Sequence, residues 1–378
     1  MPRVDILRSS PVVRSPRVVQ LEGLFDIPPA ERSEERWTVE LPIEDRDWNI
    51  GLIVGPSGSG KSTLARELFG EHDDHEWPED GAVIDGFPED MPIKEVVGLL
   101  SSVGFSSPPS WLRPFRVLST GEQFRASVAR TLAEAHELAV VDEFTSVVDR
   151  TVARIGSAAV AKAVRKRGQK LVAVSCHYDI EEWLQPDWVY DTGAGSFSWR
   201  ELQRRPPVAI EIICVQRTAW RMFRRHHYLS SELNPSARCF CGLVEGQPAV
   251  FTAVISFPHP KRPGWREHRT VCLPDFQGIG IGNAMSEFVA SVYAATGKPY
   301  RSTTGNPAMI YHRARSSKWR MTRRPGLVSQ AGQSATAQSL RRSIARTRYT
   351  ASFEYVGEKA APDVVRQLLG RASLSRAT

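Results

Sequence analysis

The chain has 378 residues, a net charge of +7, 41% apolar content and five cysteines. This length predicts two or three domains, and the apolar content is enough for sizeable cores, which excludes a disordered chain. No apolar run approaches the ~20 residues of a membrane span. The charge is uneven: residues 1–199 carry 21 Lys+Arg and 32 Asp+Glu (net −11), and residues 200–378 carry 28 and 10 (net +18). Such a split predicts separate roles for the two halves and a polyanionic partner for the second.

Residues 1–17 are basic but lack a continuous apolar stretch, so they read as an N-terminal tail and not as a secretion signal. The apolar run Ile50–Val54 then leads into Gly55-Pro-Ser-Gly-Ser-Gly-Lys-Ser-Thr63, and a helical pattern follows to Phe69. This fits the phosphate-binding spacing G-x-x-x-x-G-K-[ST] in its strand–loop–helix setting. The glycines let backbone N–H groups close around phosphate oxygens, and the helix start adds positive potential. Gly55, Ser57, Gly58, Gly60, Lys61, Ser62 and Thr63 are the expected nucleotide contacts, with Lys61 on the terminal phosphates and Ser62 on Mg²⁺.

Four further signals follow. Leu118-Ser-Thr-Gly-Glu-Gln123 opens a helix through Ala135. Leu138-Ala-Val-Val-Asp-Glu143 is a short apolar strand ending in two carboxylates, followed by Ser146-Val-Val-Asp149. Leu171-Val-Ala-Val-Ser-Cys-His177 is another such strand, ending in histidine. Short apolar strands alternating with helices predict an α/β parallel sheet with functional residues at the strands' C-terminal ends.

Residues 18–200 resemble the ABC-type ATPases on these motifs. The resemblance implies that Ser119 and Gly121 belong to the signature loop and that Asp142 holds Mg²⁺. It makes Glu143 the residue that polarises the attacking water, Asp149 the D-loop aspartate and His177 the γ-phosphate sensor. It also implies a head-to-tail homodimer, because the signature of one subunit completes the ATP site of another. Thr120 and Glu122 depart from the usual signature, and no glutamine lies between Leu64 and Val117, so hydrolysis is expected to be slow or differently gated. Phe25 and Trp37 are candidates to stack on adenine.

Residues 199–207 read as a boundary. Beyond them, Ala237–Leu243 and Ala249–Phe257 read as paired strands, and Arg269-Thr-Val-Cys-Leu273 as another. The loop Pro274–Gly282 then precedes a helix from Asn283 to about Ala295. Gln277, Gly278, Gly280 and Gly282 match the glycine loop of the GNAT acetyltransferases, so residues 208–378 resemble an α+β GNAT-like acyltransferase domain. The resemblance implies acetyl-CoA or another acyl-CoA as cofactor. The segment His226-His227-Tyr228-Leu-Ser230 adds a distant similarity to phage Mom-type DNA-modifying acyltransferases. Transfer of an acyl group needs a base, for which His226 and His227 are candidates, and a proton for the departing thiolate, for which Tyr228 and Tyr311 are candidates. A helix end with the two histidines facing the C-terminal carbonyls is the favoured alternative. Trp319 among Arg313, Arg315, Lys318, Arg320, Arg323 and Arg324 suits phosphate neutralisation and base stacking. Ser329–Ser339 reads as a loop.

The expectation is a cytoplasmic, homodimeric ATPase coupled to acylation of a nucleic-acid base. An ATP-regulated protein or small-molecule N-acetyltransferase, and a non-enzymatic nucleic-acid clamp, are the alternatives. The scattered, odd cysteines (Cys176, Cys214, Cys239, Cys241 and Cys272) fit reduced thiols rather than a disulfide or zinc framework.

Overall fold

A computed structural model describes residues 3–70, 75–227, 232–327 and 349–370. The chain clusters into two compact units. One holds residues 1–76, 134–147 and 163–205, and the other holds 77–133, 148–162 and 206–378. Residues 77–133 and 148–162, expected to fold with the ATPase motifs, therefore cluster with the C-terminal half.

In the first unit, strands β1 (Arg3–Pro11) and β2 (Arg32–Glu40) form an antiparallel hairpin bridged by helix α1 (Pro16–Phe25). A five-stranded sheet has the order β4-β5-β3-β6-β7, with β3 at Ile50–Val54, β4 at Leu138–Val141, β5 at Lys170–Ser175, β6 at Trp188–Asp191 and β7 at Ser196–Trp199. The first four strands in that order run parallel, and β7 is antiparallel to β6. Every residue of β3 is buried, as expected for a parallel strand covered on both faces, which explains its unbroken apolar sequence. Helix α2 (Lys61–Phe69) follows the glycine loop and buries Leu64 and Ala65. These pack with Ile6, Val39, Ile53, Val172, Val174 and Trp188 in one core.

The second unit contains helices α3 (Ile93–Ser102) and α5 (Thr120–Glu134), the single turn α4 (Pro108–Trp111), and the first part of α6 (Arg150–Arg167). A further short turn, α7 (Glu181–Leu184), belongs to the first unit. The second unit's sheet has the order β13-β14-β12-β11-β10-β9-β8. Its strands are β8 (Glu211–Val215), β9 (Arg238–Val244), β10 (Gln247–Phe257), β11 (Gly264–Cys272), β12 (Tyr300–Thr304), β13 (Trp319–Leu327) and β14 (Tyr349–Tyr355). The turn between β9 and β10 uses Glu245 and Gly246, both at positive φ (50° and 77°), which suits the twist of a tight hairpin. Pro325 lies in β13, at the edge of the sheet, where its missing N–H is tolerated.

All paired strands of this sheet are antiparallel except β11 and β12, which pair in parallel only through Trp265–Tyr300 and Arg266–Arg301. Beyond those two pairs the strands are joined through side chains, with the Ser302 hydroxyl donating to the Glu267 carboxylate. Helix α9 (Ile281–Ala294) starts from Gly280 and packs Ile281, Met285, Val289 and Ala290 into the core with Val250, Phe353 and Tyr355. Helix α10 (Pro307–Arg315) is capped by Asn306, whose side chain accepts from the Met309 N–H at 3.1 Å. The stretch before His227 forms short helical turns at Arg217–Ala219, α8 (Trp220–Phe223) and Arg224–His226.

Two residues expected on a nucleic-acid surface are core residues instead. Trp319 is 5% exposed and Arg313 is 1% exposed. The Arg313 guanidinium lies 4.4 Å from the centre of the Trp319 ring and donates to Glu267 at 2.8 Å. Trp319 therefore cannot stack on a base. The pattern of a basic stretch with an aromatic arose from a buried ion pair and the ring covering it. Tyr228 and Ser329–Ser339 lie outside the described residues.

Candidate functional site

The P-loop, the paired carboxylates and the histidine follow β3, β4 and β5. These are adjacent parallel strands, so their C-terminal ends share one edge of the sheet. Val54 is level with Ser175 and Val141 with Ala173, which brings Gly55, Asp142 and the Cys176–His177 turn to the same edge. Phe144 N–H donates to the Val174 carbonyl at 2.8 Å, tying the segment after β4 to the end of β5.

The phosphate cradle is constrained by close approach. A Cβ on Gly55 would lie 2.1 Å from the Thr192 hydroxyl, so only glycine fits. Gly58 has φ 80° and open space where a Cβ would point. Ser59 and Thr192 share a hydroxyl hydrogen bond of 2.5 Å, which pins the loop to the end of β6. Lys61 Nζ donates to the Pro56 carbonyl at 2.6 Å across the loop. Arg8 of β1 donates to the Thr63 hydroxyl, a second cation at this loop that the sequence pattern did not reveal. Trp37 of β2 lies over the loop, 3.7 Å from where a Gly60 Cβ would be. Phe25, the other aromatic candidate, is 65% exposed at the end of α1.

After β4 the backbone is unusual. Glu143 (φ 50°) and Thr145 (φ 69°) are both left-handed without being glycine, a conformation kept where surrounding structure demands it. Asp142 Oδ1 accepts from the Glu143 N–H at 2.8 Å, which fixes one carboxylate relative to the next. His177 N–H donates to the Ser175 hydroxyl at 3.1 Å. An open glycine cradle, a lysine, a serine hydroxyl and two carboxylates at one sheet edge fit a Mg²⁺–nucleotide. Ser62 and Asp142 would hold the metal. A bound triphosphate would supply the transferable phosphoryl group, with Glu143 placed to orient water and Lys61 to neutralise charge.

The signature segment and Asp149 belong to the second unit. Glu122 is buried at the start of α5, where it accepts from the Ser110 hydroxyl at 2.8 Å and the Ser119 N–H at 3.1 Å. That capping role accounts for a carboxylate in place of the usual residue. Asp149 caps α6 by accepting from the Thr151 and Val152 N–H groups at 2.9 and 3.0 Å. Arg125, fully buried one turn into α5, donates to the carbonyls of Pro274 and Asp275, the latter at 3.0 Å. Burial pushes its guanidinium down to about 10, against the pull of Asp275 and its neighbours.

The second glycine loop is half packed and half open. The Gln277 side chain accepts from the Ser106 N–H at 2.6 Å and donates to the Cys272 carbonyl at 2.8 Å. A Cβ on Gly278 (φ 95°) would meet Ala159 Cβ at 2.5 Å and Gly104 Cα at 2.9 Å. Gln277 and Gly278, expected as cofactor contacts, are thus engaged within their own unit. Gly280 (φ 99°) and Gly282 differ. A Cβ at Gly280 would point into open space, and one at Gly282 would make only an ordinary contact with Cys272.

Of the proposed acid–base residues, His226 accepts from Arg225 Nε at 2.9 Å. Its pKa is lowered, first by burial and then by Arg225. His227 packs edge-on against Trp220 with centroids 5.6 Å apart. Tyr311 is half exposed, with the Arg315 guanidinium 3.5 Å above its ring. Sequence reasoning missed His268. It is the residue left unpaired where the β10–β11 register shifts, since Ala253 pairs with Arg269 and Val254 with Glu267. Its Nε2 accepts from the Asn234 N–H at 3.1 Å. Burial and then the charges of Arg269 and Arg266 push its pKa down to about 3. Strand alternation alone gives no sign of such a bulge.

No known family profile matches the chain. The hemin import ATP-binding protein HmuV of Rhodococcus jostii (strain RHA1) is 26% identical over 183 residues, covering 36% of this chain and 59% of that protein. The chain thus spans little more than half the length of this curated relative. Among solved structures, a dimeric bacterial ABC transporter cassette aligns at 16% identity with a TM-score of 0.36, over 44% of this chain and 92% of that one. A bacterial Atm1-family ABC exporter with ATP bound aligns at 18% identity with a TM-score of 0.31, over 43% and 34%. The ordered motifs resemble those of ABC-type ATPases, and the curated relative to which the chain is similar is an ATP-binding protein of hemin import. Among the described residues, no helix is long and apolar enough to cross a membrane.

Proposed function

We propose that this chain binds and hydrolyses Mg²⁺–ATP at the shared edge of β3, β4 and β5, and works as a homodimer in which Ser119 and Gly121 of one copy complete the ATP site of the other. The observation that carries this reading is the convergence of Gly55–Thr63, Asp142–Glu143 and His177 on adjacent parallel strand ends. Trp37 is the adenine platform, because it already lies against Gly60, and Phe25 is not. Trp37→Ala should weaken ATP binding by about tenfold, the usual worth of one base–aromatic stack. Phe25→Ala should leave it unchanged. Isothermal titration with ATP and Mg²⁺ checks both, and wild-type affinity for Trp37→Ala rules out this platform.

A second activity is proposed for the C-terminal sheet: acyl transfer from an acyl-CoA to an amine of a nucleic acid. Support comes from the short parallel pairing of β11 with β12 and from a helix that starts at Gly280, where a Cβ would point into open space. Backbone N–H groups at such a start suit a pyrophosphate. The net +18 of residues 200–378 favours a polyanionic acceptor over a protein or small molecule. Gly282→Asp tests this reading. A first-turn aspartate suits the helix dipole, so α9 should persist, but the new charge opposes a phosphate. The variant should lose acetyl-CoA binding and keep its DNA affinity, measured by calorimetry and fluorescence anisotropy. Absence of acetyl-CoA binding by the wild-type protein would instead leave a nucleic-acid clamp as the role of this half. The cytoplasm is the proposed compartment, in keeping with five free thiols.

A further inference from the structure

Three carboxylates gather where α5 and α6 begin. Glu122 and Asp149 cap these helices, and Asp275 comes from the loop after β11. The Asp275 Oδ1 lies 3.2 Å from the point where a Gly121 Cβ would be, so its charge stands against the first turn of α5. The carboxylate is not placed there by an ion pair of its own. Arg125 grips the main chain instead, through the Pro274 and Asp275 carbonyls. Gln277 holds the next turn through the Ser106 N–H and the Cys272 carbonyl. Gly278 closes the contact against Gly104 and Ala159, where no side chain would fit. The segment 274–278 is therefore fixed at its backbone, with one acidic side chain directed at Gly121. Burial and the nearby Asp149 and Glu122 raise the Asp275 pKa, and Arg125 opposes them, so the charge sits there under repulsion.

We propose that Asp275 is an internal anion that occupies the first turn of α5 and must withdraw before a nucleotide phosphate is engaged there, so that engagement pulls on segment 274–278 and thereby on the glycine loop that starts α9. The proposal rests on the reading of Ser119 and Gly121 as the surface that receives a partner's ATP. Two anions competing for one helix start oppose each other, and the carboxylate sits on the same short loop as Gln277, Gly278 and Gly280. By linkage, whatever holds that loop in place weakens nucleotide engagement, and the reverse. Asp275 and Arg125 are positioning residues in this scheme.

Asp275→Asn keeps the shape and removes the charge. It should lower the KM for ATP by about five- to tenfold with kcat nearly unchanged. In wild-type protein, ATP should speed hydrogen exchange of the amides over 274–282, and in Asp275→Asn, which has no charge to displace, ATP should leave that exchange unchanged. Arg125→Lys keeps a buried cation but cannot grip two carbonyls in the same way, and should speed exchange over 274–282 even without ATP. If Asp275→Asn leaves KM unchanged and its exchange still responds to ATP as in wild type, while Gly121→Asp abolishes turnover, the proposal is wrong and the dimer reading stands. If Gly121→Asp also turns over normally, the dimer reading itself has failed, and the proposal falls with it.

Discussion

Glu143→Gln should reduce ATP turnover by at least about a hundredfold while leaving ATP binding intact. The amide keeps the shape of the side chain but can no longer accept a proton from water. The backbone around it should not relax, because the left-handed conformations at Glu143 and Thr145 and the Phe144–Val174 hydrogen bond belong to the main chain. Binding should persist because Lys61, Ser62 and the P-loop amides are untouched. With hydrolysis blocked, the ATP-bound dimer should accumulate, seen as a doubled mass in size-exclusion chromatography with light scattering. A monomer at saturating ATP, for a variant that binds ATP normally, would rule out the head-to-tail assembly. Asp142→Asn should behave differently, losing Mg²⁺-dependent affinity as well as turnover, because that carboxylate is the proposed metal ligand.

Arg313→Ala should destabilise the second unit by about 3–5 kcal/mol, the usual effect of leaving one partner of a buried pair without its counter-charge. Glu267 is buried with Arg313 at 2.8 Å, and it also accepts from the hydroxyls of Thr270, Ser286 and Ser302. Burial acts to raise its pKa, but the Arg313 charge and the three hydroxyls outweigh that, and the net shift is below the ordinary value of 4.5. A carboxyl lowered in this way stabilises the fold above its unfolded pKa, and the contribution is lost as pH falls through the folded value. Removing Arg313 reverses the sign, since a buried, unpaired Glu267 prefers its neutral form. The deficit of Arg313→Ala should therefore narrow as pH is lowered from 7 towards 4. Thermal melts across that range check this, and a deficit constant with pH would place its origin in lost packing over Trp319 rather than in charge. The double substitution Glu267→Leu with Arg313→Met should recover much of the loss, because it removes both charges together.

The grouping of the candidate nucleotide-site residues was legible because their motifs lie in short, ordered runs. Gly55–Thr63, Asp142–Glu143 and His177 each sit directly after an apolar strand, and parallel pairing then brings the strand ends to one edge. The β9–β10 hairpin and the start of α9 were legible for the same local reason, since positive-φ turns and glycines mark them. Long-range partners were not legible. Arg313 and Trp319 read as a basic surface because nothing nearby in sequence reveals Glu267, 46 residues away in the chain. Arg125 lies inside the helix expected through Ala135 with nothing in its surroundings in sequence to single it out, and its partners lie about 150 residues further on. Gln277 matched a cofactor motif, but the same carboxamide is what the backbone at Ser106 requires. A motif states which residue types are present and is silent on which of their hydrogen bonds are already taken.

The interleaving of the two compact units has a consequence for heredity. Residues 77–133 and 148–162 lie between segments of the first unit along the gene, yet they complete the second. A recombination breakpoint near codon 205 would separate Arg125 from the carbonyls it grips, and would leave Gly278 without the small neighbours that admit it. Neither fragment would carry the groups that satisfy it. The chain cannot have its halves exchanged freely with those of other genes, and it must be inherited and altered as a single piece.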